Sequence, residues 1–251
     1  MIRGLEHFKE YFREYSRNFI IIGGIATYLI LEEAGATRLR PTKDFDLVLI
    51  LAPDENFIKA IKAYIRSGGY EIQIGKSGQS TFYRFHKPKH DKYPVMLEFF
   101  SCAEGSFKFH EDQHIIPVTT VDGAKSLSAI LLDDEYFTVI QRNAVEKDGI
   151  FVISEMALIP FKAKAYLEIK ERGEDSKNWK KHRGDIINLA VNFLTEESRE
   201  ELSGGVRDHF VLFMSDLRKE LTGDIIEGAC NQKIPKETLL RLLDKTFLAL
   251  E

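Results

Sequence analysis

The sequence is short of the features that would place it in a specialised class. Its 251 residues include two cysteines, Cys102 and Cys230, far apart in the chain. Neither a disulfide framework nor a cysteine metal knuckle can be built from them, and a reducing compartment is expected. No apolar run approaches the ~20 residues of a membrane span, and the N-terminus has no continuous apolar segment of the signal-peptide kind. The expectation is a cytoplasmic chain without a membrane partner. Charge of one sign is lacking too: 35 Lys and Arg against 39 Asp and Glu leave a net charge of -4. A chain so balanced has no general attraction for nucleic acid, and a polyanionic partner would need a local basic patch. Internal repeats and low-complexity linkers are absent from the sequence.

What is present is an ordinary globular balance, 44% hydrophobic and 29% charged, in a chain long enough for one large domain or two smaller ones. Leu5, Phe8, Tyr11, Phe12 and Tyr15 recur at helical spacing over residues 4–16. Phe19 to Ile22 reads as a buried strand that Gly23-Gly24 ends, and Ile25 to Glu33 as a helix that Gly35 stops. After a basic loop, Thr37 to Lys43, a second strand is expected over Asp44 to Leu51. Pro53-Asp54 then opens a helix that Gly68-Gly69 closes. Strands are expected at Tyr70 to Ile74, Thr81 to His86 and Val95 to Phe100, a hairpin at Phe107 to Thr120, and two short strands within Tyr136 to Ile153. Beyond Glu155 the sequence favours helix: Met156 to Arg172, Lys177 to Leu194, Glu197 to Leu221 with a break at Gly204-Gly205, and Pro235 to Leu250. These elements predict an α+β fold with a mixed α/β part over residues 1–150 and a helical part over 151–251.

Three carboxylates draw attention. Alternate side chains of a strand share a face, so Asp44 and Asp46 point one way while Phe45 and Leu47 point the other. Two adjacent carboxylates are comfortable as anions when solvated or bridged by a cation. An isolated D-x-D at a strand entrance is more often simply solvated. Glu98 changes that weighting, because it sits in the apolar run Val95-Met-Leu-Glu-Phe-Phe100, where an unpaired carboxylate is costly to bury. A salt bridge to a Lys or Arg from elsewhere would satisfy it. So would service as a third ligand beside Asp44 and Asp46, and an all-oxygen set favours Mg²⁺ or Mn²⁺. Gly23-Gly24, ahead of a helix N-terminus, would allow phosphate to approach the backbone, although such turns are common without a ligand.

The combination of Gly23-Gly24, Arg40-x-Thr42-x-Asp44-x-Asp46 and the strand carboxylate Glu98 resembles the polymerase-β-type nucleotidyltransferase superfamily. Within it, the pattern is most similar to the minimal nucleotidyltransferases and the AbiEii-like group, which includes toxins of bacterial toxin–antitoxin and phage-defence systems. The resemblance implies a palm-like mixed sheet, two divalent ions, and transfer of a nucleoside monophosphate from an NTP with release of pyrophosphate. It implies that Gly23 and Gly24 cradle the triphosphate, that Asp44 and Asp46 hold the metals, and that Glu98 completes the catalytic set. Arg40 and Thr42 would join the nucleotide contacts. In the helical part, Lys162 and Lys164 lie two apart, so only one can lead a given helix face; Lys164 and Arg172, eight residues apart, with Lys181, Arg183 and Asp185 on the following helix, resemble the group's nucleotide-facing residues. Each also suits a solvated helix surface. The acceptor implied is an RNA end, a protein hydroxyl or a small molecule, with an antitoxin as partner if the chain is a toxin. The sequence departs from the superfamily in having Gly24 where serine is usual and a long loop before Asp44. The rival expectation is a non-catalytic nucleotide- or partner-binding protein that keeps the palm fold.

Two further patterns are set aside. His110-Glu-Asp-Gln-His114 matches a zincin motif by letter but lies in hairpin rather than helix context, and Ile74-Gly-Lys-Ser lacks the spacing of a P-loop. Trp179 among the basic residues Lys177 to Arg183 suggests a base platform, with a charged surface as the simpler reading.

Overall fold

The structure, a computed structural model, describes residues 2–50, 55–74, 80–101, 115–117, 128–131 and 133–249. These form two compact units. The first comprises Met1–Ile25 and Pro41–Ile153, the second Ala26–Arg40 and Ser154–Glu251.

The first unit is built on a mixed sheet. Its strands are β1 (Phe19–Ile22), β2 (Asp44–Leu49), β3 (Glu71–Ile74), β4 (Ser80–His86), β5 (Met96–Ser101), β6 (Ile115–Pro117), β7 (Ser128–Leu131), β8 (Ala144–Lys147) and β9 (Ile150–Ile153). The main order is β3-β4-β5-β2-β1-β9-β8, with β7 beside the end of β5 and β6 paired to β7. At the centre, β2 runs antiparallel to β1 and parallel to β5.

Alternation along these strands separates two faces. Phe19, Ile21, Phe45, Leu47, Leu49, Leu97 and Phe99 are all buried and share one face. Two helices cover it: α1 (Leu5–Tyr11) and α3 (Glu55–Gly68). Phe8 of α1 lies 5.4 Å, centroid to centroid, from both Phe19 and Phe45, and 5.8 Å from Tyr64 of α3. Phe12, just past α1, contacts Phe57 and Tyr64 of α3. Burying Phe45 on this side is worth about 2–3 kcal/mol and sends its neighbours Asp44 and Asp46 to the opposite face.

Several elements differ from expectation. The first helix is shorter, α1 being followed by a 3₁₀ turn over Arg13–Asn18. Tyr136 to Arg142, expected within a strand region, belong to helix α4 (Asp134–Arg142), whose first turn is capped by the Asp133 side chain accepting from the Glu135 amide. The two short strands expected before Ile153 are β8 and β9, paired antiparallel around Asp148-Gly149. The expected hairpin at 107–120 lies outside the described residues except for β6, as do the expected helix start at Pro53-Asp54 and both histidines of the zincin-like pattern.

The second unit is helical: α5 (Glu155–Glu171), α6 (Ser176–Phe193), α7 (Gly204–Glu220), α8 (Gly223–Cys230) and α9 (Lys236–Phe247). Helix α8 was not expected from the sequence, whereas α7 does begin at Gly204-Gly205. Helix α2 (Gly23–Glu33) starts directly after β1, and its residues from Ala26 on belong to this second unit. Gly35, at φ 67°, closes α2 with bonds from Gly35 N to Glu32 O and from Ala36 N to Leu31 O. That is a Schellman ending, and it needs the left-handed glycine.

Candidate active site

The sheet register assembles the carboxylates. Asp46 is the Cα partner of Glu98 across the parallel pair β2–β5, and Asp44 stands opposite Met96. Asp44, Asp46 and Glu98 therefore share the face opposite the aromatic core. Asp44 is exposed, Asp46 half-buried, and Glu98 only 6% exposed. The same row continues to Ile22 on β1, opposite Asp46, so that Gly23 follows at the end of the row.

The two glycines have a role in this chain before any ligand is considered. Gly23 has φ 67°, and a Cβ built on it would lie 2.1 Å from Asp46 Oδ2. A Cβ on Gly24 would lie 2.3 Å from the Thr42 hydroxyl oxygen. Any side chain at either position would displace Asp46 or Thr42. The turn thus packs against the strand that carries the aspartates, with Thr42 entering that strand.

Glu98 has a partner that the sequence reading did not single out. Arg84, its Cα partner on β4, donates from Nη2 to Glu98 Oε1. The salt bridge open as one alternative for Glu98 is present. Burial pushes the Glu98 carboxyl above its usual range, and Asp44 adds to this; the Arg84 guanidinium opposes both. The signal that could have located Arg84 was the buried acid itself, which demands a cation, but the β4–β5 register that selects the cation is non-local.

The chemistry of the three carboxylates fits a hard divalent cation, being all oxygen on one face. Among the described residues, no three His, Cys, Asp or Glu side chains converge closely enough to hold an ion as they stand.

In the second unit, Arg40 and Asp185 are brought together. Arg40 donates from Nε to Asp185 Oδ1 at 3.1 Å and from Nη2 to Oδ2 at 2.7 Å. Lys162, 4% exposed on α5, donates to the same Oδ2 at 2.6 Å. Burial alone would raise the Asp185 carboxyl, but Lys162 and then Arg40 hold it down at about 2. Its neighbour His182 is pushed down to about 3, first by burial and then by Lys162 and Lys181. The α6 residue Asn188 donates to Arg38 O at 2.7 Å, so α6 fixes the loop at two points.

Two of the other helical candidates pair with neighbouring acids. Lys164 lies 3.9 Å from Glu168, and Arg172, the C-cap of α5, pairs with Glu174 at 3.1 Å. Lys181 is exposed. The lysine that α5 turns toward Asp185 is Lys162 instead. Trp179 packs edge-on to Tyr166, with Lys170, Lys180 and Arg183 5.3–5.5 Å from its ring, so cations already occupy its surroundings.

No helix among the described residues is long and apolar enough to cross a membrane. No family model and no curated protein matches the chain. Solved structures give weak likenesses. An antigenic nucleotidyltransferase-like protein from Paracoccidioides brasiliensis is similar at 14% identity and a TM-score of 0.44, covering 96% of this chain and 100% of its own. The antibiotic-resistance factor ANT(2'')-Ia is similar at 16% identity and a TM-score of 0.40, covering 85% and 91%. JHP933 from Helicobacter pylori is similar at 12% identity and a TM-score of 0.33, covering 96% and 87%.

Proposed function

We propose that the chain is a nucleotidyltransferase that moves a nucleoside monophosphate from an NTP to an acceptor hydroxyl, with Asp44, Asp46 and Glu98 as its catalytic carboxylates. The observation that carries this reading is the pairing of Asp46 with Glu98 on the face that also bears Asp44, at the strand end where Gly23 packs on Asp46. An acid buried in an apolar strand is expensive, and its alignment with two further acids gives that expense a chemical purpose.

In the reaction, the acceptor oxygen forms a bond to the α-phosphorus, the bond to pyrophosphate breaks, and the acceptor proton passes to a base. Glu98 and Asp46 both suit that base. Two Mg²⁺ or Mn²⁺ ions on these oxygens would neutralise charge on the α-phosphate and the leaving pyrophosphate. Gly23 and Gly24 would let the triphosphate approach the backbone at the start of α2, whose N-terminus favours anions. Arg40, Thr42, Lys164, Arg172, Lys181 and Asp185 belong to the nucleotide side of the proposal, supported by the residue pattern. That pattern is also what supports the AbiEii-like grouping, a toxin role with an antitoxin partner, and a cytoplasmic setting.

A second reading, a nucleotide- or partner-binding protein without chemistry, draws support from the Arg84–Glu98 ion pair, which satisfies Glu98 with no metal. One experiment separates the two. The protein is incubated with each α-labelled NTP, Mg²⁺ or Mn²⁺, and total cellular RNA, protein or small-molecule extract. Transfer of label to one fraction supports the enzyme and names the acceptor class. NTP binding without transfer favours the second reading, and neither binding nor transfer removes both.

A further inference from the structure

Strand β5 lies between β2 and β4, and Glu98 has a partner on each: Asp46 on one side and Arg84 on the other. All three side chains share a face, because directly paired residues of neighbouring strands do. Neighbouring strands are about 4.8 Å apart, so a glutamate side chain can lean toward either. Here its Oε1 accepts from Arg84 Nη2 on the β4 side.

We propose that Arg84 is a positioning residue that draws Glu98 to the β4 side and competes with a divalent cation for that carboxylate. The inference rests on the proposed role of the three carboxylates and adds a built-in competitor to it. Glu98 is almost wholly buried, so its ionised form calls for a positive neighbour. Arg84 is less enclosed than Glu98: 32% of its side chain is exposed, although its Nε is buried. When a cation binds between β2 and β5, it and the guanidinium repel each other across one carboxylate. Glu98 then turns from β4 toward Asp46, and Arg84 moves toward solvent. Arginine suits this task because its charge cannot be lost at any working pH.

The opposing arrangement would keep Arg84 on Oε1 as an orienting contact while Oε2 meets the cation. The two make opposite predictions for cation affinity. Mn²⁺ binding to the full chain, measured by calorimetry and by loss of the free-Mn²⁺ electron paramagnetic resonance signal, distinguishes them without an activity assay. Arg84→Met should bind Mn²⁺ more tightly than the wild type by about ten-fold. Its melting midpoint without added Mn²⁺ should fall, and its gain on adding Mn²⁺ should exceed the wild-type gain. Arg84→Gln, uncharged but able to hydrogen-bond Glu98, should shift affinity in the same direction and carries the test if the methionine variant does not fold. Unchanged or weaker binding in the variants, with the wild type binding Mn²⁺, overturns the competition and leaves the carboxylate site standing. Absence of Mn²⁺ binding in the wild type and the variants alike overturns both.

Discussion

Asp46 and Glu98 are paired Cα to Cα across β2 and β5, which turns a D-x-D entrance and a distant acid in an apolar run into one carboxylate face. Phe45 enforces this arrangement. It is fully buried against Phe8 on the other side of the sheet, so the strand cannot slip by one residue without exposing the aromatic core and burying both aspartates. The position of the acids is thus fixed by hydrophobic packing on the opposite face.

The Gly23 contact with Asp46 makes a steric prediction. Gly23→Ala forces a left-handed φ on alanine and puts its Cβ where the Asp46 carboxylate lies. Urea unfolding should show a loss of roughly 1–3 kcal/mol. Nucleotidyl transfer should fall further than the folded fraction explains, because the displaced group is the proposed ligand.

Gly24 tests the neighbouring contact. Gly24→Ala meets the Thr42 hydroxyl at 2.3 Å, and Thr42→Ala removes that oxygen. The double variant should be more stable than the sum of the two single effects by about 1 kcal/mol. Simple additivity in urea unfolding would refute the contact.

Asp185 anchors the helical unit through Arg40 and Lys162. Asp185→Ala removes a carboxylate that both cations share and should cost about 3–5 kcal/mol. Lys164→Ala, on a half-exposed helix face with its ammonium 3.9 Å from Glu168, should stay within about 0.5 kcal/mol. Thermal unfolding of the two variants side by side checks the contrast, which also separates Lys162 from the residue favoured by sequence spacing.

His182 gives the acid limb of stability a specific source. Its folded-state pKa of about 3 lies below the ordinary value of 6.5, so between those limits the unfolded chain takes up a proton that the folded chain does not. Stability therefore falls as pH drops through this window, and the loss is complete below about pH 3. From pH 7 to 4.5 the loss should be roughly 2–3 kcal/mol by urea titration, and His182→Gln should flatten it. Asp185 adds nothing in that range. With its carboxyl at about 2 against an unfolded value of 3.8, its contribution is present above 3.8 and is lost only as pH falls toward 2.

How much of this was legible in the sequence depends on which contacts are local. The strand Phe19–Ile22, the alternation of Asp44 and Asp46, and the anomaly of Glu98 are properties of short windows and could be read directly. Arg84 could not, because its pairing with Glu98 depends on the register of two separate strands. Helical phase decided between Lys162 and Lys164. Helix α5 is apolar around much of its circumference, with Leu158, Ile159, Pro160 and Ala163 all buried, so spacing offers no clear polar face to mark which lysine turns inward. The two short strands expected within Tyr136 to Ile153 occupy its second half, and although Tyr136 to Ile140 is β-branched and aromatic, tertiary burial of one helical face outweighs that local preference. The Asp133 cap was the missed local sign. That residues 26–40 group with the helical unit follows from contacts such as Arg40–Asp185, which no window of sequence contains.

Nucleotidyl transfer is the role we propose for the face bearing Asp44, Asp46 and Glu98. The most direct test is pyrophosphate release from NTP with Mg²⁺ or Mn²⁺ and cellular acceptor extract, comparing the wild type with Asp46→Asn. We expect release by the wild type and a loss of at least about 100-fold in the variant, with circular dichroism and the melting midpoint essentially unchanged. Release by Asp46→Asn at the wild-type rate would contradict it.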